Sequence, residues 1–122
     1  MLEPVYISDL TWYNTHMKNR PRKKFKLRAV IYDKRGRILS FGQNSYEKSH
    51  PIQAKYAKQI GREDAIFLHA EIDAIIRCKD LDNAHKISIS RYDEHGHPRL
   101  AKPCEICQKA IRDAGIEIIE HT

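Results

Sequence analysis

Apolar and polar residues alternate through the first well-patterned stretch of the chain. Phe25, Leu27, Ala29 and Ile31 interleave with Lys26, Arg28, Val30 and Tyr32, a two-residue period that predicts a strand. Asp33-Lys34-Arg35-Gly36 then reads as a hairpin turn, with glycine at the left-handed position. Ile38, Leu39 and Phe41 form the returning strand, which ends near Gly42. Beyond it the period changes. Pro51 to Ile60 predicts a short helix, because Pro51 suits the first helical position and Gly61 follows the end. Leu68, Ile72, Ile75 and Ile76 recur at helical spacing and predict a helix from about Leu68 to Lys79. Lys86 to Arg91 is a third strand. Pro103 opens another helix, with Ile106, Ala110, Ile111 and Ala114 facing a core, and Gly115 stops it. Ile116 to Ile119 is the last strand. Ahead of all these, Ser8 to Asn19 has helical spacing, with Ser8 or Asp9 as N-cap, Leu10, Tyr13 and Met17 on one face, and Pro21 as the stop.

The resulting order is a β-hairpin followed by α, β, α, β. Such crossovers imply an α/β fold: a mixed four-stranded sheet with parallel pairs and helices packed on it. We read residues 1–122 as one domain, with 1–24 an N-terminal helix and basic lead-in and 25–120 the core. Neither repeats nor low-complexity tracts interrupt it.

Composition narrows the class. The chain is 41% hydrophobic and 31% charged, the balance of a soluble globular protein rather than a disordered one. No apolar run approaches the roughly 20 residues of a membrane span. The first residues, MLEPVYISDL, are not a secretory signal, and the expected location is the cytoplasm. Three cysteines fit reduced thiols better than a disulfide framework. The net charge of +6 is unevenly spread: residues 18–37 hold ten Lys/Arg against one acid. That run suits an anionic partner, and suits equally a solvated strand edge that resists aggregation.

Two short segments carry chemistry: His69-Ala70-Glu71 and Pro103-Cys104-Glu105-Ile106-Cys107. Both stand at predicted helix starts. Cys104 and Cys107 are three apart and share a helical face. Two thiolates and one imidazole make three zinc ligands and leave a fourth position open, the pattern of a catalytic rather than a structural site. The positive ends of the helix dipoles favour thiolate at both cysteines. Glu71, two residues from the His, can reach a metal-activated water without itself ligating, and can carry its proton to a substrate.

H-x-E together with P-C-x-x-C is the signature of zinc nucleobase deaminases. In HAE at 69–71 and PCEIC at 103–107 the chain resembles the cytidine/deoxycytidylate deaminase superfamily, over roughly Lys26 to Glu120. The order of elements is similar too, and implies that superfamily's three-layer fold. The resemblance implies that His69, Cys104 and Cys107 bind zinc and that Glu71 shuttles protons. It implies a sugar contact at Asn44, and base contacts from the main chain around Ala70 and Lys102, next to Pro103. A first ligand that is His looks more like the deoxycytidylate, tRNA and polynucleotide branches than the free-cytidine one.

The expected function is therefore hydrolytic conversion of cytosine to uracil in a free pyrimidine nucleoside or nucleotide, with zinc as cofactor and a homo-oligomeric assembly. An alternative is a polynucleotide deaminase acting on single-stranded DNA or tRNA, which the basic run supports. Only Phe25 among aromatics interleaves with that run, which weighs against it. A non-catalytic zinc-stabilised binding domain is the third reading, and such a domain would have no need of Glu71. Other residues have blander readings. Cys78 suits a small buried hydrophobe, and His95 and His97 suit a turn built on Gly96 and Pro98. His50 and Lys55 fall where the superfamily lines its substrate mouth, but a solvated helix explains them equally. Trp12 and Tyr13 suit core or oligomer contacts.

Overall fold

The computed structural model describes residues 25–62 and 67–122. Its elements are β1 (Lys26–Tyr32), β2 (Ile38–Gln43), α1 (Pro51–Gln59), α2 (Ala70–Arg77), β3 (Lys86–Tyr92), β4 (Pro98–Arg99), α3 (Glu105–Asp113) and β5 (Ile118–His121). A single 3-10 turn, Leu81–Asn83, precedes β3. The strands form one mixed sheet. β1 lies between β2 and β3, antiparallel to both. β5 runs parallel to β3, and the short β4 pairs antiparallel with the last residues of the same β3.

The four expected strands are all present, and β4 is an addition. It arises because the first hairpin turn is built twice. Asp33 Oδ1 accepts the amides of Arg35 and Arg37, and Asp93 Oδ1 accepts those of His95 and His97, all four at 2.9 Å. Gly36 and Gly96 each turn back to their own aspartate's carbonyl at φ near +80° (79 and 81). The second Asp-x-x-Gly therefore folds the 93–99 segment into a hairpin, with Pro98 in the strand rather than the turn. The last strand starts at Ile118, two residues later than its apolar pattern suggests. The amides of Glu117 and Ile118 both reach His85 O first, and the parallel ladder with β3 follows.

Alternation along β1 and β3 gives the sheet a dry face. Ala29 pairs with Ile89 and Ile31 with Ile87, and all four are fully buried or within 1% of it. Ala70, Ala74, Ile111 and Ile116 cover them. A second cluster, Tyr56, Ala57, Ile72, Ile106, Cys107 and Ala110, joins the three helices. Tyr56 also donates to Asp113 Oδ2 at 3.0 Å, tying α1 to α3. The opposite face, with Ile38 and Phe41 more than half exposed, has no helix against it among the described residues. The helix expected over Ser8 to Asn19 lies outside them, as do Trp12 and Tyr13. Two of the three expected layers are thus described. Cys78 caps the end of α2 and packs half-buried on the first cluster, as its apolar reading requires.

How closely α2 lies on the sheet decides where its first residue stands. Ser40 Oγ donates to Ala74 O at 2.8 Å. Gly42 touches the helix backbone itself: a Cβ there would collide with Ala70 O and with Ala74 N and Cα. A clash against helix backbone cannot be relieved by a rotamer change. Gly42→Ala is expected to cost about 3 kcal/mol or more, the upper end of overpacking penalties, measured as a shift in urea unfolding. A loss below about 1 kcal/mol would mean that α2 can slide off β2.

Candidate metal and proton-transfer site

α2 and α3 start next to one another. His69 is the N-cap residue of α2 and Cys104 that of α3, yet neither side chain caps its own helix. They turn toward each other instead. His69 Nδ1 is 3.2 Å from Cys107 Sγ and 3.5 Å from Cys104 Sγ. The three ligand atoms all lie within 4.8 Å of one another, and no other such group of three occurs among the described residues. Tetrahedral zinc bonds of about 2.0–2.3 Å would hold neighbouring ligands roughly 3.3–3.8 Å apart, so the donor set fits that ion both in chemistry and in spacing.

The electrostatics follow from this crowding. The Cys104 thiol is pulled down to about 4, chiefly by the hydrogen bond it receives from the Cys107 thiol, with burial opposing and His69 assisting. Cys107 is pushed well up, because it donates that hydrogen bond and is buried. Of the two sulfurs, Cys104 is the readier thiolate. Burial opposes charging of the His69 ring, but the neighbouring Cys104 sulfur outweighs it and raises its pKa.

Glu71 stands in the first turn of α2, 3% exposed, and its Oε1 is buried with no hydrogen-bond partner among the described residues. Desolvation is the main reason its pKa is raised. An orphaned buried oxygen costs about 1–3 kcal/mol, and a carboxylate oxygen more. Fold stability gives no reason to keep it.

The remaining expected site residues also lie within the described chain. Ala70 is fully buried, and its carbonyl oxygen lies against Gly42. Pro103 is buried, and its carbonyl accepts from Gln108 Nε2 at 2.8 Å. Lys102 is exposed. Asn44 is engaged with β1: its Oδ1 accepts from Leu27 N at 3.0 Å and its Nδ2 donates to Phe25 O at 3.1 Å. His50 caps α1 through Nδ1, at 3.1 Å from Ile52 N. The basic run is split. Five of its ten cations fall among residues 18–24, outside the described chain. Lys26 and Arg28 point to the open sheet face, while Lys34, Arg35 and Arg37 surround the turn at the end of the sheet away from His69.

Two buried polar residues were not singled out by spacing. Gln53 of α1 is fully buried, and its Oε1 accepts the His69 amide at 3.2 Å. Asp73 of α2 accepts Gln43 N at Oδ2 and Arg77 Nε at Oδ1, each at 3.0 Å, fastening the end of β2 to the helix. The only sequence signal for Gln53 was a polar residue inside an otherwise short helix beside Tyr56 and Ala57.

Residues 10–120 match the model of the cytidine and deoxycytidylate deaminase zinc-binding region. The chain belongs to that family. Zinc is accordingly its cofactor, and His69, Cys104 and Cys107 sit close enough together to hold the ion. Among solved structures, a cytidine deaminase from Mycobacterium tuberculosis, determined as a point mutant, is similar at 20% identity and a TM-score of 0.46, over 84% of this chain and 71% of that one. No curated protein matches the sequence. No helix among the described residues of this deaminase is long and apolar enough to cross a membrane.

Because Gln53 fixes the backbone that carries His69, Gln53→Met is expected to weaken zinc binding about tenfold or more, the usual effect of removing a ligand's support. Chelator competition measures it. Unchanged affinity would show that α2 alone positions the imidazole.

Proposed function

We propose that this family member is a hydrolytic deaminase converting cytosine to uracil in a free pyrimidine nucleoside or nucleotide. The observation that carries the reading is Glu71: a buried carboxyl with an unpaired oxygen, two residues after His69 of the three-residue metal-ligand group. His69, Cys104 and Cys107 would hold the zinc. When bound, zinc supplies Lewis acidity and a water that ionises near neutral pH.

The chain's own residues do the rest. Glu71 takes the proton of the attacking water and delivers it to the ring nitrogen beside C4. A second proton follows by the same carboxyl to the exocyclic amine. The water oxygen bonds to C4, the C4–N bond breaks, and ammonia leaves. A raised pKa suits the task, since a carboxyl that is too acidic would not return the proton. Buried apolar neighbours, Ile72, Ile106 and Ala110, keep bulk water from the back of the site.

Main-chain groups around Ala70 and Lys102, beside Pro103, hold the base in this reading. Asn44 keeps one Nδ2 hydrogen and one Oδ1 lone pair beyond its bonds to β1, enough for a sugar hydroxyl. Reduced thiols at the metal fit a cytoplasmic setting. The polynucleotide alternative rested on the basic run, and the described half of that run does not gather at the site.

Glu71→Gln preserves shape and removes only the proton carrier. It is expected to retain zinc, measured as bound metal per chain, while turnover of cytosine nucleosides or nucleotides falls at least about a hundredfold by ultraviolet absorbance. A Glu71→Gln protein as active as the parent would refute the assignment.

A further inference from the structure

The three metal-ligand side chains are not held equally well. Cys107 is fully buried within the second cluster, so packing fixes its sulfur. His69 has its amide held by Gln53 Oε1 at 3.2 Å. Cys104 is half-buried and only edges that cluster. It precedes the first residue of α3, and as N-cap residue its backbone is extended, at φ −70° and ψ 169°. Its side chain makes no capping bond that would lock it there. Helix ends of this kind fray unless something ties them down.

Gln108 ties this one down. It is the fourth residue of α3, one turn after Cys104. Its backbone amide donates to Cys104 O and its side-chain Nε2 donates to Pro103 O, both at 2.8 Å. Those two carbonyls belong to the two peptide planes that meet at Cys104 Cα. Each plane is rigid, so holding both leaves the Cα–Cβ bond, and with it the sulfur, little room to swing. The first bond is the ordinary start of an α-helix. The second is not: it runs five residues back, to the residue before the N-cap. At many helix starts those two positions hold a pair of apolar side chains, whose contact sets the angle at which the chain enters the helix. Here the earlier position is the buried Pro103, and a hydrogen bond takes the place of the apolar contact. A hydrogen bond is directional, so it fixes the orientation of the peptide plane as well as the entry angle. The ring of Pro103 locks its own φ and stiffens the approach further.

We propose that Gln108 is a positioning residue for the metal centre: through the Pro103 carbonyl it aims Cys104 Sγ at the point where the His69 imidazole and the Cys107 sulfur meet. Cys104 Sγ lies 3.5 Å from His69 Nδ1 as a result. Gln53 and Gln108 divide the support of the two ligand-bearing helix starts between them, one holding an amide and the other a carbonyl. The proposal rests on zinc binding at this site and goes beyond the choice of substrate.

Three variants of the full chain test it. Gln108→Met keeps side-chain length and helix preference but has no donor. Gln108→Glu keeps the shape and sets an acceptor against the carbonyl. Gln108→Lys brings a donor back on a side chain of similar reach. Chelator competition is expected to show zinc bound about tenfold or more weakly in the first two variants, and within about threefold of the parent in the third, since a ligand's support is removed and then restored. Cobalt(II) bound in place of zinc reports geometry: its sulfur-to-metal charge-transfer bands should shift or weaken in the first two variants and return in the third. The urea midpoint of the metal-free chain should fall by less than about 0.5 M in each, because one half-exposed hydrogen bond is worth little to the fold. Parent affinity in Gln108→Met, an unchanged cobalt spectrum, a Gln108→Lys protein no better than Gln108→Met, or a urea midpoint that falls far enough to account for the lost affinity would overturn the proposal. None of these measurements uses a substrate. A parent that takes up zinc and turns over no cytosine nucleoside or nucleotide would sink the deaminase reading alone. A Gln108→Met protein that matches an active parent in zinc affinity would sink this proposal alone.

Discussion

The direct contact between the backbone of α2 and strand β2 at Gly42 is the constraint on which the rest of this molecule turns. Helices normally stand off a sheet by the depth of their side chains. Here glycine on one side and Ala70 and Ala74 on the other remove that spacer. The start of α2 is thereby fixed to the sheet, and His69, its N-cap residue, inherits that position. α3 is fixed against α2 by the second cluster, in which Cys107 is itself a packed and fully buried member. The distances of 3.2 and 3.5 Å from His69 Nδ1 to the sulfurs follow from this packing.

The same packing creates the electrostatics. Two N-cap side chains that do not cap leave the amides of two helix starts aimed at the metal centre. That field favours anionic sulfur and explains why two thiols can crowd together with a carboxyl close by. Burial then separates their roles. Cys104, half-buried and hydrogen-bonded, ionises readily, whereas Glu71, more deeply buried, resists ionising. One environment thus yields a ready metal ligand and a carboxyl able to hold a proton, a division of labour that arises wherever neighbouring acids are desolvated unequally.

Much of this was legible in the sequence because it rests on period and spacing. The alternation of Leu27, Ala29 and Ile31 marked the buried face of β1, and HAE with PCEIC marked the ligands and Glu71. What stayed hidden depends on tertiary register. Pro98 read as turn chemistry, but the carboxylate of Asp93 organises its loop as Asp33 does, and a strand results. Asn44 read as a substrate contact, and its first use is to hold the start of β1. Gln53 and Asp73 look like ordinary helix polar residues until the partner amides, those of His69 and Gln43, are brought to them from 16 and 30 positions away. The described part of the charge run depends on register in the same way: Lys26 and Arg28 lie on the open sheet face, and Lys34, Arg35 and Arg37 at the hairpin turn.

That last point bears on how the fold places charge. Net charge of +6 says little about it, because each described side chain's position follows from sheet register. Arg91 lies on the same face as Ile87 and Ile89, continuing a row that is otherwise hydrophobic core. An arginine at the end of such a row is held by the core's own rigidity, with its stem packed and its head over Phe25. Asn44 contributes at one remove, since its amide fixes Phe25 O and Leu27 N, and with them the ring on which the guanidinium lies. Sheet register, rather than a loop, therefore sets the position of this charge.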